Sequence, residues 1–201
     1  MVGASALFAV LASVLAYRTE PASAQVASGS TIVVDTAQDS PGTSGDCSLR
    51  EAILAANTDA PVGGCEAGSS SGADRIRFSL GRGATTIVLD QTLPAVTDAA
   101  GLTINGGQHA RITVSGNHQV RVLVVKKGAQ LTLRRLTIAK GSAPNENSDT
   151  TGSGGGIANR GGTIRVVRST FSGNEAILRG GAISNVLGAG VVRVIAVPPV
   201  R

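Results

Sequence analysis

Gly155-Gly156-Ile157-Ala158-Asn159 returns 26 residues later as Gly181-Ala182-Ile183-Ser184-Asn185, and Leu136-Thr137-Ile138-Ala139-Lys140-Gly141 returns 33 residues later as Ser169-Thr170-Phe171-Ser172-Gly173-Asn174. Leu102-Thr103-Ile104-Asn105-Gly106-Gly107 and Ile112-Thr113-Val114-Ser115-Gly116-Asn117 are earlier variants of the second string. Each coil contributes inward Ile, Val, Leu or Phe, and Gly or Asn supplies the left-handed backbone where the chain turns a corner. The strand candidates this predicts are 31–35, 76–80, 86–89, 102–104, 111–114, 122–125, 131–138, 163–171 and 191–197. Strands this short and this frequent, recurring at unequal intervals, predict an all-β solenoid whose coils stack their aliphatics into one column. No coil is stable alone, so both ends need covers.

One segment reads differently. Ser48 followed three residues later by Glu51 is a capping box, and Leu49, Ala52, Ile53 and Ala56 recur at helical spacing, which predicts an amphipathic helix over Ser48 to Asn57. This helix is the natural cover for the N-terminal end of the solenoid. Upstream, Val2 to Tyr17 is apolar but short and rich in Ala, Ser and Gly, and Ala22-Ser23-Ala24 offers a small-x-small cleavage pattern. Residues 1–24 therefore read as a secretory signal peptide with the mature start at Gln25, rather than as a transmembrane segment. No Lys or Arg precedes the apolar run, so either the amino terminus alone meets the charge requirement or the start lies further upstream. In an exported protein, the two cysteines, Cys47 and Cys65, most simply form one disulfide.

Cys47-Ser48-Leu49-Arg50-Glu51-Ala52, followed by Ile53, Ala55-Ala56-Asn57, a second Cys and Ala73-Asp74-Arg75-Ile76-Arg77-Phe78, closely resembles the CSLREA-motif proteins of bacteria. The glycine-rich repeats from 155 to 183 resemble the same family's coils. The resemblance spans about residues 30 to 190. It implies a right-handed parallel β-helix and a secreted or cell-surface location. On that reading residues 25–100 form the cap region and first coils, and 101–201 the β-helix repeats. Ile195 to Arg201, with Pro198 and Pro199, breaks off where another coil is expected, and the chain reads as a fragment of a longer protein.

Composition narrows the function. There are three Phe, one Tyr and no Trp, and two of these four aromatics lie in the signal segment. Stacking platforms for single-stranded nucleic acid or sugars are therefore excluded, and no specific nucleic-acid recognition is expected. The net charge of +5 hides a split: residues 25–100 hold nine acidic and four basic side chains, whereas 101–201 hold three and thirteen. Across the 33-residue repeat Arg135 superposes on Arg168, placing two cations on the same outer face about 4.8 Å apart, and Arg134, Arg165 and Arg193 add charge nearby. Like charges so placed repel unless neutralised. Two readings stand: a solvated face whose long side chains splay apart, or contact with a polyanion such as acidic polysaccharide, lipopolysaccharide, teichoic acid or extracellular DNA through Arg134, Arg135, Arg165 and Arg168.

Catalysis has little support. A polysaccharide lyase or hydrolase on this kind of scaffold is the alternative, but from residue 101 only Glu146, Asp149 and Glu175 are acidic, and Asp90 and Asp98 match no dedicated calcium loop. His109 and His118 read as exposed turn residues. Neither the two histidines nor the cysteines have zinc-ligand spacing, and the glycine run 152–156 lacks the Gly-Lys-Ser/Thr ending of a phosphate loop. The stretch Ser142 to Ser153 reads as a loop, either for recognition or as a spacer. The expectation is a non-catalytic scaffold for adhesion or for polyanion and glycan binding, without cofactor or metal. The sequence leaves its oligomeric state open.

Overall fold

The structure, a computed structural model, describes residues 28–39, 45–108, 111–143, 152–186 and 190–195. The signal-peptide reading, His109, Glu146, Asp149, most of the 142–153 loop and the segment 196–201 lie outside these residues.

The elements in chain order are β1 (Thr31–Val34), α1 (Leu49–Thr58), β2 (Asp74–Phe78), β3 (Ala84–Val88), β4 (Leu102–Asn105), β5 (Arg111–Ser115), β6 (Leu123–Val125), β7 (Gln130–Arg134), β8 (Leu136–Ala139), β9 (Ser142–Ala143), β10 (Ile157–Asn159), β11 (Thr163–Val167), β12 (Thr170–Ser172), β13 (Glu175–Ala176), β14 (Ile183–Asn185) and β15 (Val191–Ile195). Every pairing between these strands is parallel. The 33-residue repeat sets Thr137 beside Thr170 and Leu131 beside Ile164, and the 26-residue repeat sets Ile157 beside Ile183.

The expectation of one right-handed parallel β-helix closed at its N-terminal end by the helix is corrected. The strands divide among four separate parallel sheets: a six-stranded sheet in the order β1-β2-β4-β7-β11-β15, a four-stranded sheet β12-β8-β5-β3, a three-stranded sheet β14-β10-β6 and the pair β13-β9. The unequal intervals explain the division. Between β1 and β2 the chain inserts α1 and no strand, between β2 and β4 it adds only β3, and from β7 onward each return to the large sheet crosses all three others. The sheets consequently begin at different levels. Two predicted strands are also each broken in two, 131–138 at Arg135 and 163–171 at Arg168, because both arginines take a left-handed backbone (φ 51° at each) that ends one strand and starts another in a different sheet.

Inward residues on the six-stranded sheet make one apolar row: Ile32, Ile76, Ile104, Leu133 and Val166, each no more than 3% exposed. Full burial of such side chains stabilises by roughly 1.5–3 kcal/mol each. A second inward row runs Leu102, Leu131, Ile164, and at its first level stands Asp74, 1% exposed. Its carboxylate accepts hydrogen bonds from the Ser30 and Ser69 amides at 2.8 and 3.1 Å. Loss of water raises its pKa, those two amides pull the other way, and the charges of Asp98 and Asp59 add to the rise. In the three-stranded sheet the buried Asn159 amide donates to Gly162 O and to Asn185 Oδ1 and accepts from the Gly162 amide, so both ends of that side chain are engaged.

The helix α1 begins as the sequence predicts. Ser48 Oγ accepts from the Glu51 amide and Glu51 Oε2 accepts from the Ser48 amide, while Asp59 closes the other end at φ 53°. Its apolar face, with Leu49, Ala52, Ile53 and Ala56, is buried, and α1 packs beside β1 and β2. It is not a simple lid: hydrogen bonds fasten it sideways to the connection after β3. Asn57 donates to Ala95 O and accepts from the Thr97 amide, and Arg50 donates to Gln91 O and Thr92 O while pairing bidentately with Asp39. Cys47 and Cys65 form the expected disulfide, closing a separation of 18 residues, which stabilises by roughly 3 kcal/mol on chain-entropy grounds. The six-residue motif is thus accounted for by structure: one cystine half, a cap, a buried apolar residue, a brace, the other half of the cap, and a small buried residue.

Candidate functional site

Arg135 and Arg168 each stand two residues before the paired Thr137 and Thr170, and Arg111 directly precedes Ile112, which pairs with Leu136. The three arginines therefore form a line across three adjacent strands, at about 4.8 Å per strand. Two positions further along, Thr86, Thr113, Thr137 and Thr170 form a second line across all four strands of the same sheet, since each is the in-register partner of the next. An open groove of about 380 Å³ on this face is lined by Arg111, Arg135, Arg168, Thr137, Thr170, Gly107 and Gln108, which brings guanidinium and hydroxyl groups to one surface.

The backbone at two of these arginines is costly. A left-handed conformation disfavours a side chain with a Cβ by roughly 1 kcal/mol or more, and Arg135 and Arg168 adopt it at successive levels. The preceding level has Gly106 against this corner, where a Cβ would collide with the Arg135 carbonyl oxygen. A corner of this shape suits Gly or Asn, yet arginine occupies it twice.

The sequence grouped Arg134, Arg135, Arg165 and Arg168 as one binding surface, and the structure separates them. Arg135 and Arg168 share the groove with Arg111. Arg134 and Arg165 instead lie on the outer face of the six-stranded sheet, where Arg134 is paired with Asn105 and Val167, and Arg165 with Thr132 and Arg193. The cause is the left-handed turn at Arg135, which sends neighbouring residues to different faces. Arg111 was detectable: Arg111-Ile112-Thr113-Val114 and Arg135-Leu136-Thr137-Ile138 share one pattern at an interval of 24 residues. Arg75 and Arg77 were masked by their place in the longer family-like string.

Among the described residues none of Arg75, Arg77, Arg111, Arg134, Arg135, Arg165, Arg168 and Arg193 has a carboxylate partner; the ion pairs present are Arg50 with Asp39, and His118 with Glu175 at 3.5 Å. His118 is an exposed turn residue at φ 58°, as expected. Among the described residues the acidic group within ion-pair distance of it is the exposed Glu175. Asp90 and Asp98 stand apart, Asp98 accepting from the Ala100 amide. Among the described residues no three His, Cys, Asp or Glu side chains gather as a metal site, and no helix is long and apolar enough to cross a membrane. The arrangement can hold anions by charge-assisted, forked hydrogen bonds. No family model, no curated protein and no solved structure matches the chain.

Proposed function

We propose that this chain is an exported, non-catalytic scaffold that binds a linear polyanion along the Arg111, Arg135 and Arg168 line. The observation that carries the reading is the pair of left-handed arginines, stacked with no counter-charge among the described residues where Gly or Asn would be less strained. A solvated face explains exposed arginines, but it does not explain keeping them at a strained corner. The disulfide supports an oxidising location, and the likeness of Cys47 to Ala52 to the CSLREA-motif proteins supports a secreted or surface one. A polymer whose anionic groups repeat at about the interstrand spacing of 4.8 Å meets each guanidinium in turn, with the threonine hydroxyls available to its remaining polar atoms.

The test is salt-dependent retention on heparin of the wild type and of the Arg111→Gln, Arg135→Gln, Arg168→Gln triple variant. The log-log salt slope should become shallower by about three, one for each guanidinium removed. An unchanged slope in a folded variant sinks the assignment.

A further inference from the structure

On the six-stranded sheet the outward positions fall into two rows. The first runs Thr31, Arg75, Thr103, Thr132, Arg165 and Arg193, and the second Val33, Arg77, Asn105, Arg134, Val167 and Ile195, each residue being the in-register partner of the next. The sheet spans five interstrand steps, about 24 Å. Five arginines stand on this face, all exposed, and no acidic residue occupies either row. None of the five has an ion-pair partner among the described residues.

The pattern differs from the groove. Arg111, Arg135 and Arg168 fall on one line, which one polymer strand can follow. Arg75, Arg165 and Arg193 lie on one row and Arg77 and Arg134 on another, so the charges spread over two dimensions, the arrangement a planar array of anions presents. The second row adds Val33, 39% exposed, at one end and the half-buried Val167 and Ile195 at the other, so aliphatic side chains flank its cations at both ends. Basic side chains flanked by aliphatic ones suit the boundary between anionic headgroups and acyl chains.

We propose that the outer face of the six-stranded sheet is a docking surface for an anionic lipid bilayer. The face lies against the headgroups, its arginines pair with lipid phosphates through forked hydrogen bonds, and the aliphatic side chains at the two ends of the second row settle at the interface. Attachment weakens with salt, because the paired charges stay within a Debye length of solvent. This surface is separate from the groove, so the two readings fail independently.

The experiment is co-sedimentation of the intact chain with vesicles of phosphatidylcholine and phosphatidylglycerol in equal parts, and with vesicles of phosphatidylcholine alone. Three proteins are compared: the wild type, an Arg75→Gln, Arg165→Gln, Arg193→Gln face variant, and the triple groove variant. Circular dichroism and thermal unfolding confirm that all three fold. The expected result is binding of the wild type and groove variant to the anionic vesicles only, with the face variant about a hundredfold weaker, while the face variant keeps most of its retention on heparin. Equal vesicle binding by the face variant and the wild type overturns the proposal, as does an equal loss in the groove and face variants. If the wild type is held by heparin but ignores anionic vesicles, the lipid proposal falls and the polyanion reading stands.

Discussion

The two faces of the six-stranded sheet are built from the same strands in the same register, yet they carry opposite chemistry. On the inner face Ile32, Ile76, Ile104, Leu133 and Val166 repeat an aliphatic at every level, and on the outer face the row through Thr31 reaches Arg75, Arg165 and Arg193. Stacking like with like is favourable inside, where each buried aliphatic stabilises by roughly 1.5–3 kcal/mol. Outside, stacking Arg165 on Arg193 opposes folding, though by no more than about 1 kcal/mol because water screens exposed charges. Summed over the row, the interior wins by an order of magnitude, so the fold tolerates an outer face that serves something other than stability. Repetition inside is explained by packing. Repetition of cations without an ion-pair partner among the described residues is not explained by packing, and on the readings proposed above it serves a ligand.

The largest effect should come from changing adjacent residues that point in opposite directions. Leu133→Ala removes a fully buried side chain from the middle of the inner row and should lower the unfolding free energy by about 2–5 kcal/mol in denaturant titration. Thr132→Ala, one residue earlier on the outer face, should change it by less than about 0.5 kcal/mol. Comparable effects at both positions would contradict the claim that one face bears the stability.

Asp74 is the exception within its inward row, a carboxylate where the other residues are Leu102, Leu131 and Ile164. Since burial raises its folded-state pKa above the unfolded value, the folded chain holds the proton more firmly. Its contribution to stability is therefore greatest at acid pH and falls as pH rises from the ordinary carboxylate range through the raised value. Denaturation midpoints of wild type and Asp74→Asn across that range should show the wild type losing ground to the variant as pH increases. A difference independent of pH would mean that the Ser30 and Ser69 amides balance the lost hydration, and one growing in favour of the wild type that they outweigh it.

What was legible in the sequence follows from the same inside-outside logic. Alternation within a strand reports which residues share a face, and the 26- and 33-residue repeats report which strands are neighbours; both survive in the observed register. The capping box and the disulfide were legible because each needs only two residues of fixed chemistry. Which sheet a strand joins was not legible, because that depends on the corner between strands. Arg134 and Arg135 are consecutive, yet one lies on the six-stranded face and the other in the groove. The turn between them is a left-handed φ on a residue type that seldom adopts it, and no local pattern announces it. A single right-handed β-helix follows from reading the unequal intervals as loops of variable length between coils, whereas the first passes carry fewer strands than the later ones.

That corner also supplies the smallest and most discriminating test. Glycine at 135 or 168 relieves the left-handed strain, roughly 1 kcal/mol, but adds freedom to the unfolded chain, which offsets part of the gain. Arg135→Gly and Arg168→Gly should therefore leave stability unchanged or raise it by up to about 0.5 kcal/mol each, while each lowers the salt needed to elute the protein from heparin. Were the arginines retained for folding, the same substitutions would lower the melting temperature and leave elution untouched. The two outcomes are opposite in both measurements, so one pair of variants decides whether the strain at this corner serves the fold or the ligand.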